Sequence, residues 1–141
     1  QKGLGGFLVR NMESYGILDA MGLTYRIVLD ANIYTMNNRA EAFWMKKGIL
    51  GDTVPLELNA KELVHRNNKN SELTVYGYTP MMVSVQCVQK TMDHCNHACV
   101  QYVLKDRYQK EFRGVCSCEF CYNTIYNTLP TSLLKEKEKT F

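Results

Sequence analysis

All six cysteines of this 141-residue chain lie between Cys87 and Cys121, and the first eighty residues hold none. That distribution divides the chain into a thiol-free part and a short thiol-rich part. Cys87, Cys95 and Cys99 follow the apolar run that opens at Pro80, and Cys116, Cys118 and Cys121 cluster further on. The closing Cys118-Glu119-Phe120-Cys121 can bite one metal through two thiolates presented from a single turn. Two thiolates of the first group would complete a four-sulfur site, which suits zinc or an iron–sulfur cluster. An even number of cysteines also suits a small secreted domain stapled by disulfides. Such domains staple their whole length, whereas these thiols gather at one end. The residues therefore favour a metal centre over disulfides and leave zinc and iron–sulfur both open.

The thiol-free part repeats a unit of apolar strand, polar residue, capped helix and glycine over residues 7 to 77. Gly6–Val9 reads as a strand ending at Arg10. Asn11 then caps a helix from Met12 to Met21 that stops at Gly22. Tyr25–Leu29 reads as the second strand, closing on Asp30-Ala31-Asn32. Asn38 with Glu41 forms a capping signature for a helix that places Ala40, Phe43 and Trp44 on one face and ends at Gly48. Asp52–Leu58 reads as the third strand, Asn59 with Glu62 as the cap of a short helix to about Arg66, and Glu72–Tyr76 as the fourth strand. Strands alternating with helices at this spacing imply parallel pairing.

The expected fold class is α/β: about four β/α units of a partial (β/α)8, TIM-type barrel over residues 1–79. A small cysteine-bearing, β-rich cap follows over residues 80–141, with Val100–Lys105 and Glu111–Val115 as a hairpin. Four strands cannot close a barrel that typically takes about 250 residues. The chain opens on Gln1 rather than Met, and the expectation is that the first half of the barrel precedes it. A half-barrel leaves strand edges and apolar helix-facing surface unpaired, so either that missing N-terminal half or self-association is expected to cover them.

Charge adds little. A net charge of +3 without a basic stripe does not by itself argue for nucleic acid. The one dense run, Lys135 to Lys139, alternates in sign and reads as a solvated end. No apolar run is long enough to span a membrane and no signal-peptide pattern opens the chain, so no membrane partner and a cytoplasmic location are expected.

Several stretches resemble one known family. Arg10-Asn11, Asp30-Ala31-Asn32-Ile33-Tyr34 with Asn37, and Pro55-Leu56-Glu57-Leu58-Asn59 are similar to barrel segments of the collagenase-like peptidases, family U32. Tyr76-Gly77-Tyr78-Thr79-Pro80 through Val85-Gln86-Cys87 resembles their signature segment. Leu104-Lys105-Asp106-Arg107 and Cys118 to Asn123 extend the likeness nearly to the end. The resemblance implies a 4Fe–4S cluster, as in members that hydroxylate RNA bases or ubiquinone precursors. Carried over residue by residue, its ligands are Cys87, Cys95, Cys118 and Cys121, with Cys99 and Cys116 outside the pattern. Zinc is the alternative metal. The implied reaction is hydroxylation of an RNA base. The alternatives are peptide hydrolysis on a protein substrate, from the protease label that some members carry, and a zinc-stabilised module without catalysis.

In parallel α/β folds reactive groups gather at the carboxyl ends of strands. Asp30 and Glu57 each end an apolar strand, where a charge is costly without a purpose, and with Asn32 they are the catalytic candidates. Arg10, Tyr34, Asn59 and Tyr78 are the substrate-binding candidates, although Asn11, Asn38 and Asn59 are equally explained as helix caps. His94 and His97 fall inside the cysteine loop and can ligate zinc, but four thiolates leave them neighbouring or surface roles; His65 reads as surface. Met81 and Met82 read as packing. Ser84 has no histidine near it in sequence, and a Cys87–His94 dyad is incompatible with a metal-bound thiolate. No HExxH helix is present, so a metallopeptidase is not indicated.

Overall fold

The computed structural model describes residues 5–93 and 95–133. His94 and the Lys135–Lys139 run lie outside these. The described chain divides between Thr74 and Val75 into two compact units.

The first unit is a four-stranded parallel sheet in the order β1 (Phe7–Val9), β2 (Ile27–Leu29), β3 (Gly51–Thr53), β4 (Ser71–Glu72). Three α-helices connect them: α1 (Met12–Ala20), α2 (Asn38–Lys46) and α3 (Ala60–Val64). Asn11 caps α1 by accepting from the Ser14 N–H, and Gly22 follows with φ 70°, a left-handed value that glycine takes without a Cβ clash. A full capping box closes the start of α3. Asn59 accepts from the Lys61 and Glu62 N–H groups, and the Glu62 carboxylate accepts from the Asn59 N–H. Val9, Tyr15, Ile27, Leu29, Trp44 and Ile49 form the core, with the Tyr15 and Trp44 rings edge to face at 4.9 Å.

The barrel expectation is overturned. The parallel sheet stays open, with β1 and β4 as its two edges among the described residues, and the strands that follow build antiparallel sheets instead of continuing it. Its strands are two or three residues long. Several local readings change with it. The third strand stops at Thr53, because Pro55 cannot donate to a ladder. The fourth divides into β4 and a separate β5 (Tyr76–Gly77) that belongs to the second unit. Asn37, not Asn38, caps α2, accepting from the Arg39 and Ala40 N–H groups. Asn38 instead bridges to the segment after α3, donating to the His65 carbonyl and accepting from the Asn67 N–H. On α2, Trp44 and Glu41 are buried while Phe43 is exposed.

A buried polar knot ties the loop before α2 to β3 and β4. Arg66 donates to the Thr35 carbonyl and hydroxyl, to Asn68, to the Ser71 hydroxyl and to the Asp52 carboxylate. Asp52 also accepts from the Thr35 and Ser71 hydroxyls. Thr35, Asp52 and Arg66 are all buried.

The second unit is an antiparallel sheet in the order β6 (Pro80–Ser84), β9 (Tyr122–Tyr126), β8 (Glu111–Ser117), β7 (Gln101–Lys105). A small ladder joins β5 to β10 (Thr131–Ser132), and a single turn of helix, α4 (Val88–Thr91), follows β6. β7 and β8 form the expected hairpin. Gly114 lies opposite Tyr102 across it, and a Cβ at Gly114 would collide with the Tyr102 ring. The missing side chain is what lets that ring lie across β8 and pack on the cysteines.

Candidate metal centre

Period-2 alternation along β8 buries Gly114 and Cys116, and Cys118 is buried in the turn that follows. The CxxC is that turn: Cys118 to Cys121 connects β8 to β9, with the Phe120 N–H on the Ser117 carbonyl and Cys121 left-handed at φ 53°. Cys87 joins them as the residue immediately before α4, in extended backbone conformation. Its sulfur lies 3.5 Å from that of Cys116, and Cys87, Cys116 and Cys118 form one buried cluster with Tyr102 packed against it. Cys95, His97 and Cys118 bring a sulfur, an imidazole nitrogen and a sulfur within 4.8 Å of one another, a group that could hold a metal ion.

The electrostatics are those of buried, crowded thiols. Burial pushes the Cys116 thiol up to about 12, reinforced by its hydrogen bond to Cys87 and by the neighbouring sulfurs. Burial raises Cys118 as well, with the charge and hydrogen bond of Cys95 adding to it. Cys87 moves the other way, lowered first by the Lys90 backbone N–H at the start of α4, with further help from Cys116 and Gln89. A divalent cation would reverse the penalty on the buried pair, because thiolates ligate metals only after losing their protons.

The surroundings fit a bound group. Four buried side-chain polar atoms lack a hydrogen-bond partner among the described residues, and three of them are around this pocket. Tyr102 packs on the cysteines, Gln89 is two residues from Cys87, and Asn123 is paired with Cys116 across the sheet. Asn123 is fully buried and donates to the Gln86 carbonyl next to Cys87, leaving its own oxygen free. Native interiors rarely leave such groups unpaired.

The four cysteines that the resemblance implies as ligands gather here: Cys87 and Cys118 are buried, Cys95 and Cys121 are exposed and both act on the Cys118 thiol, and Cys87 and Cys121 line one cavity. Cys121 is exposed, with its sulfur 3.7 Å from the Cys118 carbonyl. Cys116, outside the implied pattern, is fully buried inside the cluster, and His97, read as a neighbour, belongs to the metal-capable group. Cys99 is exposed. The signal for Cys116 was its strand position: period-2 alternation puts it on the same face of β8 as Gly114.

The strand-end candidates separate into three places. Arg10, Asp30 and Asn32 come together in the first unit. The Arg10 guanidinium is 3.5 Å from the Asp30 carboxylate, which also accepts from the Asn32 backbone and side-chain amides. Tyr34, exposed and left-handed at φ 56°, closes the short helical turn begun by Asp30. Glu57 is exposed, and the Asn59 side chain is committed to its capping box. Tyr78 belongs to the second unit, under the Arg113 guanidinium at 5.5 Å from the ring. The Ser84 hydroxyl pairs with the Gln86 backbone. No described helix is long and apolar enough to cross a membrane.

No family model, curated protein or solved structure matches this chain.

Proposed function

We propose that this chain is part of an enzyme resembling the collagenase-like family, with a thiolate-ligated iron–sulfur centre in its second unit, that hydroxylates an RNA base. The observation that carries the proposal is the gathering of Cys87, Cys95, Cys116 and Cys118 in one cluster, with unpaired polar atoms on Tyr102, Gln89 and Asn123 nearby in the same unit. An iron–sulfur cluster supplies one-electron redox chemistry there. Cys87, Cys95, Cys116 and Cys118 would hold such a group, and Tyr102, packed on the buried cysteines with an unpaired hydroxyl, would shield it from solvent. In the first unit, Arg10 offers an exposed guanidinium suited to a phosphate oxygen of RNA, and Asp30 fixes its direction. Hydroxylation replaces C–H by C–OH, so the oxygen atom and two oxidising equivalents come from a co-substrate outside the chain.

The activity itself is implied by the resemblance around Tyr76 to Cys87 and at the strand ends. It is tested by mass spectrometry of RNA nucleosides from cells with and without the protein. The expected result is one nucleoside, heavier by one oxygen, that disappears without the protein and in an Asp30→Asn strain making normal amounts of it. An unchanged nucleoside profile would sink the RNA reading.

A second reading has its own observation. Two sulfurs each about 2.3 Å from one tetrahedral zinc lie about 3.8 Å apart, and the Cys95–His97–Cys118 group, within 4.8 Å, is near that size. A four-iron cube spreads its thiolates over separate corners. In the zinc reading the centre holds the second unit together and the chain is a metal-stabilised module.

A further inference from the structure

We propose that His97 is a ligand of the metal centre, so that the centre has a mixed nitrogen–sulfur shell instead of four thiolates. The inference rests on the metal reading above but not on which metal is held. Three observations converge on it.

The first is distance. The His97 imidazole shares one volume with the sulfurs of Cys95 and Cys118, all within 4.8 Å, before any ion has drawn them in.

The second is backbone conformation. His97 has φ 56° and Asp93, earlier in the same loop, has φ 53°. A left-handed residue with a Cβ is costly, about 1–2 kcal/mol, and persists where the surroundings demand it. Asn96 between them turns back on the chain, its side chain accepting from the Ala98 N–H at 3.0 Å. The loop is thereby shaped so that Cys95 and His97, two residues apart, both reach the Cys118 sulfur. In an extended chain that spacing would also share a face, but without the inward fold toward the β8–β9 turn.

The third is charge. Four thiolates around a divalent ion leave a net charge of −2, and a neutral imidazole in place of one leaves −1. Cys116 and Cys118 are both buried. A pocket of this kind is better served by the smaller net charge. Cys87 and Cys116, whose sulfurs lie 3.5 Å apart in the cluster that holds Cys118, offer the one thiolate that completes the shell.

The test is X-ray absorption at the K-edge of whichever metal, iron or zinc, the full chain carries after anaerobic purification. The expected first shell contains about one nitrogen per zinc, or about a quarter of a nitrogen per iron for a four-iron cluster with one ligating imidazole, beside the sulfurs. His97→Ala should abolish that nitrogen contribution and speed metal loss to a chelator by about 10-fold or more, since even outer-shell changes weaken sites by 10–100-fold. His97→Cys should restore retention with a sulfur-only shell, which separates lost ligation from lost folding. His65→Ala, altering an exposed histidine of the first unit, should change neither reading. A sulfur-only shell in the unaltered protein, or a nitrogen contribution that survives His97→Ala, overturns the assignment while leaving the metal centre standing. Purification without stoichiometric iron or zinc overturns the metal centre itself, and His97 with it.

Discussion

Replacing Asp52 with alanine strips the first unit of the acceptor at the centre of its polar knot. Arg66 then keeps its guanidinium inside the protein, 2% exposed, with no counter-charge, while the Thr35 and Ser71 hydroxyls each lose an acceptor. Removing one partner of a buried ion pair costs about 3–5 kcal/mol, because the desolvated charge left behind has no compensation. Against a total domain stability of about 5–15 kcal/mol, that is enough to unfold a large share of the molecules. Trp44 is the only tryptophan and belongs to the core of this unit, so its fluorescence during urea unfolding follows the right part of the chain. The double change Asp52→Leu with Arg66→Met should recover most of the loss, since the charge and its partner leave together. Arg10→Ala is the control: Arg10 is 69% exposed beside Asp30, and exposed pairs contribute about 0–1 kcal/mol. An Asp52→Ala loss no larger than that of the Arg10 control would refute the claim that the knot is desolvated.

Three other outcomes follow from the second unit. The Cys116 thiol, held up to about 12 against an ordinary 9.0, keeps its proton in the folded metal-free chain while the unfolded chain loses it. Its stabilising effect is therefore complete below about pH 9 and fades as pH rises toward 12, and chemical denaturation of the metal-free chain across that window should show stability falling. Metal uptake has the opposite sign: it releases thiol protons, so apparent affinity measured by competition with a chelator should rise with pH. Gly114→Val drives a side chain into the Tyr102 ring, with an expected loss of about 1–3 kcal/mol and reduced metal retention; a variant as stable and as metal-loaded as the parent would show that Tyr102 can move freely.

Local structure was legible where a residue's role depends on its sequence neighbours. Asn11 and Asn59 cap the helices expected of them, Gly22 and Gly48 follow their helix ends with positive φ, and the β7–β8 hairpin forms where its turn residues place it. The parallel pairing of β1 to β4 follows from the alternation of strands and helices. The barrel did not follow, because closure is decided by pairing between distant strands, and β1 and β4 find no further parallel partner among the described residues. Asn37 and Asn38 were exchanged because either can cap, and only the contact of Asn38 with His65 and Asn67 from the next connection decides between them. The buried knot was invisible for the same reason: Thr35, Asp52 and Arg66 read as ordinary loop, strand and helix-end residues until the fold brings them together. At the cysteines, the cluster was evident from composition, but which sulfurs are enclosed depended on the face of β8. That face encloses Cys116, while Cys121, in the turn after the strand, is exposed.

The measurement that tests the central claim most directly is the iron, zinc and acid-labile sulfide content of the full chain after strictly anaerobic purification, read with its visible spectrum. The account predicts a metal bound in stoichiometric amount, with iron and sulfide each near four per chain for a 4Fe–4S cluster. Zinc near one per chain without sulfide would keep the centre and replace redox chemistry with a structural role. Neither metal, with the cysteines recovered as disulfides, would contradict the account at its centre.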